Sequence, residues 1–163
     1  MPIFNTEYKS YKPPVLPIPS MTANTQDWYT ASASSLYSWW QPYGAFNSGG
    51  SFHSAYIGNA SWAYSQIQMP WTAIVTKLTV TSRADDQNNP QYPASLYLQW
   101  SNDWSNWTNI WSTITPWFTA INQTKSWDIT GETTGYSYLR LNLQAGSSWY
   151  VAIKNWNMEW NNA

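Results

Sequence analysis

An all-β sandwich or barrel of one domain is what the sequence predicts, and three observations carry the prediction. Short runs rich in β-branched and aromatic residues recur, at residues 74–81, 95–100 and 136–143, the later two with in–out alternation. Clusters of Gly, Asn, Pro and Ser separate them, and many short strands punctuated by turns make a sandwich or a barrel. Third, the 163 residues include 14 Trp and 12 Tyr but only seven Lys or Arg and eight Asp or Glu. A chain of this size can bury one sizeable core, yet only part of that aromatic load fits in it. The other rings are expected at the surface, as contact area for something else.

Residues 1–20 stand apart from the domain expected over residues 21–163. Lys12, Pro13, Pro14, Val15, Leu16, Pro17, Ile18 and Pro19 follow one another. Proline fixes φ and lacks a donor, so this stretch is extended or polyproline-like. Two readings stand. It is a disordered leader, or it is an arm that docks on a neighbouring subunit and so covers Phe4, Tyr8, Tyr11, Val15, Leu16 and Ile18. Residues 74–81 then form a β-branched strand and 95–100 an alternating one. Trp100, Trp104, Trp107 and Trp111 recur at helical spacing. The residues between them are mostly Ser, Asn, Asp and Thr, which prefer turns, so the expectation is a strand, a turn at Asn102 and Asp103, and a second strand. Residues 136–143 put Leu139, Leu141 and Leu143 on one face and Tyr138 on the other. Residues 149–153 read as a late strand. No internal repeat is present.

The net charge of −1 argues against a nucleic-acid partner, which calls for a basic patch, and against a polybasic membrane anchor. Without cysteine there is neither a disulfide nor a thiolate metal site. No stretch approaches 18 apolar residues, so no membrane span is expected. Residues 1–10 lack the apolar run of a secretory signal. The expectation is a chain that acts without classical secretion, or a mature fragment whose signal has been removed. Gly-x-Ser-x-Gly, a phosphate loop and His-Glu-x-x-His are all missing. Asp85 and Asp86 are neighbours on one loop and do not make the facing carboxylates of a glycosidase. The chain is expected not to be an enzyme.

Several landmarks fall in one order: Ser38-Trp39-Trp40-Gln41-Pro42-Tyr43, Ala45-Phe46-Asn47, Phe52-His53-Ser54-Ala55-Tyr56, Arg83-Ala84-Asp85, Ser101-Asn102-Asp103, Asn106-Trp107-Thr108-Asn109-Ile110 and Tyr136-Ser137-Tyr138-Leu139-Arg140-Leu141. Over about residues 22–160 this order resembles the coagulation-factor 5/8 type C (discoidin) family, with its family 32 carbohydrate-binding modules. The corresponding strings there are Ala-Phe-Asp-Gly, Trp-His-Ser-x-Tyr, Ser-Asn-Asp-Gly-x-x-Trp-Thr-x-Ile and Tyr-x-Tyr-x-Arg-Leu. The resemblance implies a galactose-binding-like jelly-roll β-sandwich with ligand loops at one end, and a binding module in place of an enzyme.

It also implies candidate residues. His53 matches the histidine that hydrogen-bonds a sugar hydroxyl; the other reading is a satisfied loop histidine. A lone His without Cys, Glu or a second His is no metal or catalytic signature. Arg83 matches an arginine that forks onto adjacent hydroxyls. Asp85 and Asn88 in the same loop could add contacts, or the loop could be solvated with an Arg–Asp ion pair. Trp39 and Trp40, followed by Tyr43, lie at the ligand end by the same resemblance. Neighbours on a strand point to opposite faces, so one core does not readily hold both; the other reading is that at least one packs under the loop. Trp62, Trp71, Trp149, Trp156 and Trp160 are candidates for stacking on a pyranose. Trp107 and Trp111 match core positions, and Arg140 a structural one. Many members hold calcium through an acidic loop and a C-terminal Glu. Here residues 45–51 carry no carboxylate, which counts against calcium and leaves Asn47 and Glu159 as its only named contributors.

Together these features lead to a non-catalytic adhesion protein of a bacteriophage virion, such as a capsid decoration, fibre or tail component. Its end loops would bind a cell-surface glycan. Residues 1–20 would join it to other virion proteins in multiple copies, whose avidity offsets weak single sites. The alternatives are a purely structural cementing protein, and an extracellular carbohydrate-binding module of a larger hydrolase.

Overall fold

The computed structural model describes residues 16–58, 60–84, 91–146 and 149–162. Among these, strands and one 3-10 turn follow in the order β1 (Leu16–Pro17), β2 (Thr25–Gln26), β3 (Tyr29–Ala33), the turn Pro42–Phe46, β4 (Phe52–His53), β5 (Trp62–Ser82), β6 (Pro93–Ser101), β7 (Thr108–Asn109), β8 (Thr124–Asp128), β9 (Tyr136–Ala145) and β10 (Ala152–Asn162). Every strand pairing is antiparallel. No helix among the described residues is long and apolar enough to cross a membrane.

The 21-residue β5 organises the fold. Its first half lies between β3, with Ala33 opposite Ser65, and β9, with Trp62 opposite Gln144. Pro70 has no N–H for the ladder, and the register with β9 breaks between Gln68 and Ala73. Beyond that corner β5 pairs with β10 and β8 instead. One strand therefore passes from one layer of a sandwich to the other. The first layer holds β3, the start of β5, β9, β6 and β7. The second holds β8, the end of β5 and β10, with β1 and β4 sharing the far edge of β10. Trp156 sits opposite Val80 in the second layer, yet its Nε1 donates to Ser65 Oγ in the first at 2.9 Å. That bond spans the interior. Around it Leu139, Leu141 and Leu143 of one layer meet Leu78, Val80 and Ile153 of the other, all fully buried. This burial is the main favourable term for a sandwich.

The strands expected at 74–81, 95–100 and 136–143 lie inside β5, β6 and β9. The tryptophan spacing after Trp100 does not make a helix. Asp103 accepts the backbone N–H of Ser105 and Asn106 at 3.0 and 2.8 Å, the Ser101 hydroxyl at 3.0 Å and the Asn106 amide at 2.6 Å. Those bonds close a turn at the positions where a helix would need its first donors, and they hold the Asp103 carboxyl well below the usual carboxylate range.

Four expectations are corrected. The late strand starts at Ala152, not at 149, and runs on to Asn162; Trp149 and Tyr150 belong to the bend before it. Trp111 is 38% exposed, not core. The chain after the two-residue β7 is held to β6 by Ile110 N–H on Leu98 and by Ile114 paired with Leu96, so these isoleucines face the interior instead. Trp107 is half-buried on the outer face, with the Arg140 guanidinium 4.0 Å over its ring. Arg140 also donates to Gln99 at 2.7 Å, in line with a structural role. Finally, Ile18 is not offered to a neighbour. It is buried in this domain, and its N–H and C=O both meet the Asn157 side chain at 2.9 Å. The first 15 residues of the expected arm lie outside the described residues.

Because β5 runs to the Pro70 corner and back, strand ends gather at two poles. Ser82, Pro93, Ala145, Ala152 and His53 mark one. The Pro70 corner, the β2–β3 turn and the start of β9 mark the other.

Candidate functional site

His53 ends β4, opposite Ala152 at the first pole. Its ring is 7% exposed and its Nδ1 lies 3.0 Å from the Ser54 carbonyl oxygen. A carbonyl only accepts, so Nδ1 donates this bond. Ser54 is fixed in turn: its N–H donates to Val151 O and its Oγ accepts from Val151 N–H, both at 3.0 Å. Rings surround the imidazole. Tyr37 is 5.0 Å away, Tyr150 5.7 Å, and Trp40 is nearly parallel to it at 6.4 Å. The cluster continues through Tyr56, edge-on to both Tyr150 and Trp149. Tyr37, Tyr56 and Trp149 are 44%, 57% and 53% exposed, so the cluster presents open faces above a buried base.

Arg83 follows β5, and β10 separates it from His53. Two strand spacings put the two backbones about 10 Å apart, within reach of one small ligand. Gln91 links them. Its Oε1 accepts from Arg83 Nη1 at 2.6 Å and its carbonyl accepts from Ala152 N–H at 2.9 Å. Gln91 does this from a left-handed backbone, φ 47°. A strained residue that braces a site is a pointer to function. The loop carrying Trp117, which is 75% exposed, is hooked onto the same pole by Ser82 Oγ on Ala120 O at 2.7 Å. Asp85 and Asn88 lie outside the described residues.

Trp39 and Trp40 do not alternate on a strand. They follow Ser38, φ 52°, in a turn that leaves Trp39 76% exposed and Trp40 half-buried. With Tyr43 they line a cleft of about 350 Å³ on the flank of the domain, and Trp40 joins it to the His53 cluster. Gly44 and Gly50 form part of its wall. A Cβ on Gly44 would stand 2.5 Å from the Ser51 carbonyl oxygen, and one on Gly50 2.5 Å from that of Gly44, so the segment closes this tightly only with glycine at both positions.

The two residues named for calcium do not fit it. Asn47 Oδ1 accepts from Gly49 N–H and its Nδ2 donates to Met21 O, both at 2.8 Å, while Glu159 pairs with Lys77 at 3.3 Å. No three of His, Cys, Asp and Glu come together among the described residues. Of the five tryptophans named for stacking, Trp156 and Trp160 are fully buried and are withdrawn. Trp149 belongs to the His53 pole and Trp71 to the opposite one, at the Pro70 corner; Trp62 is packed edge-on against Tyr97 on the outer face of the first layer. Tyr37, Tyr150, Gln91 and Trp117 were missed. The first two had a signal, since each adjoins an aromatic segment already singled out.

No protein-family model matches the chain, and no curated protein sequence does. Solved structures match well. The family 32 module of NanJ from Clostridium perfringens, in complex with galactose, superposes with a TM-score of 0.65 at 16% identity over 80% of this chain and 93% of that one. An F5/8 type C domain from Bacteroides fragilis gives 0.67 at 12%, covering 83% and 93%. A family 32 module from a family 31 glycoside hydrolase of C. perfringens gives 0.65 at 16%, covering 83% and 92%. Likeness at such identities is likeness of fold, and the fold of this chain is the galactose-binding-like jelly-roll β-sandwich.

Proposed function

We propose that this chain is a non-catalytic glycan-binding module whose site is the His53 pole. The observation that carries the reading is the partly exposed aromatic cluster around His53, with Arg83 braced by Gln91 across β10. A pyranose has an apolar C–H face and a rim of hydroxyls. The face would lie on an exposed ring such as Trp149 or Tyr37. One hydroxyl would hydrogen-bond the His53 imidazole, and Arg83 would donate to sugar oxygens beside it. Asp85 and Asn88 would extend this polar rim, and Trp39, Trp40 and Tyr43 would receive further residues of a longer glycan along the flank. The galactose bound by the NanJ module makes galactose-terminated glycans the first ligands to test.

The expected result on a glycan array is binding by the wild type that falls at least about tenfold in His53→Ala combined with Arg83→Ala, the loss of two polar contacts. Equal binding by the two proteins would dismiss the site. The module found on a glycoside hydrolase favours a place beside a glycan-degrading enzyme over the virion adhesin expected from sequence. The virion reading remains testable: removing residues 1–15 would abolish incorporation into particles, and unchanged incorporation would end it.

A further inference from the structure

At the pole opposite His53, Trp28, Gln68, Met69, Pro70 and Trp71 line a groove of about 410 Å³. We propose that this groove is a second glycan site, which takes a neutral pyranose between Trp28 and Trp71. It uses none of the residues of the His53 pole.

Trp28 carries most of the argument. β2 and β3 pair with Gln26 opposite Tyr29, which fixes a two-residue hairpin turn of Asp27 and Trp28. Both have positive φ, 50° and 69°, so the turn is of type I′. Its second position is where glycine is preferred, because a side chain strains the left-handed backbone. Trp28 nevertheless stands there, and it is 83% exposed. Neither backbone preference nor burial accounts for it, since glycine would serve the fold better on both counts. A strained, solvent-facing indole that contributes nothing evident to stability points to a role in binding.

The rest of the groove suits a sugar. Trp71 is 48% exposed and backed by the buried Trp160 at 5.8 Å, so one wall is rigid. Trp28, on its tight turn, is the other. Gln68 supplies an amide that both donates and accepts. None of the five lining residues is charged, so a phosphate or carboxylate would find no counter-charge there. The volume is that of a small-molecule site. Two indoles and one amide match a ring with one apolar face and a hydroxyl rim. With a site at each pole, one molecule could bridge two glycans.

The test is 19F NMR of the full chain labelled with 5-fluorotryptophan, titrated with neutral galacto-, gluco- and N-acetylglucosamine oligosaccharides. Trp28→Gly and Trp71→Phe assign the two groove resonances. At least one sugar is expected to shift both, saturably, and to go on doing so in His53→Ala with Arg83→Ala. Trp28→Gly should weaken the Trp71 response about two- to tenfold, the loss of one stacking wall, while its Tm stays level or rises. Shifts confined to Trp149 would overturn the second site and leave the His53 reading standing. Shifts at neither pole would overturn both. A Trp28→Gly protein with a lower Tm would show that Trp28 serves the fold, and would sink the proposal from the other side.

Discussion

Trp156 and Trp160 offer a paired measurement of what one buried hydrogen bond contributes to this sandwich. Both lie on β10, both are fully buried, and both point into the same core. Replacing either by Phe removes similar ring area and leaves a similar void, so those costs largely cancel in the comparison. The polar groups differ. Trp156 Nε1 donates to Ser65 Oγ at 2.9 Å, and Ser65 is itself fully buried. Trp160 Nε1 is buried with no partner. Trp156→Phe therefore loses a bond and orphans a hydroxyl, whereas Trp160→Phe removes an orphaned donor. With about 1 kcal/mol for the bond and about 1–3 kcal/mol for each of the two unsatisfied groups, Trp156→Phe is expected to cost about 3–7 kcal/mol more than Trp160→Phe. For a domain of this length that separates the two Tm values by roughly 6–28 °C. Urea unfolding followed by near-UV circular dichroism measures the difference directly, provided the slope with denaturant is unchanged. Adding Ser65→Ala to Trp156→Phe should recover about 1 kcal/mol by removing the stranded hydroxyl. Equal costs at the two positions, or no recovery in the double variant, would mean that the bond does not join the layers as described.

Two further outcomes follow from the loops. Asp103 has a folded-state pKa depressed by the N–H and hydroxyl groups that converge on it, so its contribution is present above the ordinary carboxylate pKa and is lost as pH falls below about 4. Asp103→Asn should flatten that acid limb in pH-dependent unfolding, and an unchanged limb would show that the turn does not depend on the charge. Gly50→Ala should cost at least ~1 kcal/mol, because its Cβ meets backbone at 2.5 Å, while Gly49→Ala, with nothing nearer than 3.6 Å, should stay within ~0.5 kcal/mol. Thermal unfolding of the pair decides it, and equal behaviour would refute the close approach of the two segments beneath Trp39.

The strands that read clearly were those whose period and residue types agreed. Leu139, Leu141 and Leu143 alternate with polar or aromatic neighbours, and all three are buried. β10 carried the same period in Trp156, Met158 and Trp160, but Asn157 and Glu159 between them are poor strand formers and masked it. The first half of β5 was illegible because Pro70 interrupts the run, and because small residues such as Ala63 and Ser65 fill inward positions that larger apolar ones usually mark. Composition could not tell Trp149 from Trp156: one sits on a bend and the other faces the core, a difference set by register alone. The types His53 and Arg83 were legible through the motif order. Their nearness depends on β10 lying between them, and their brace Gln91 has no sequence signal. Trp28 was invisible as a turn residue because an Asp-Trp pair is not what a two-residue hairpin turn usually contains.

The antiparallel pairing of Leu16 with Trp160 also fixes how the domain carries force. Residue 16 and residue 162 leave the fold side by side at the same pole. A pull that separates the two ends would part β1 from β10 one hydrogen bond at a time, like a zipper, and would meet little resistance. A pull between a ligand held at His53 and a tether at either end runs along the length of β10 instead. The bonds joining β10 to β5, from Ile153 opposite Ser82 to Asn162 opposite Ala73, would then be loaded together in shear. The same strands are thus weak when stretched from their ends and strong when the load arrives through the His53 pole.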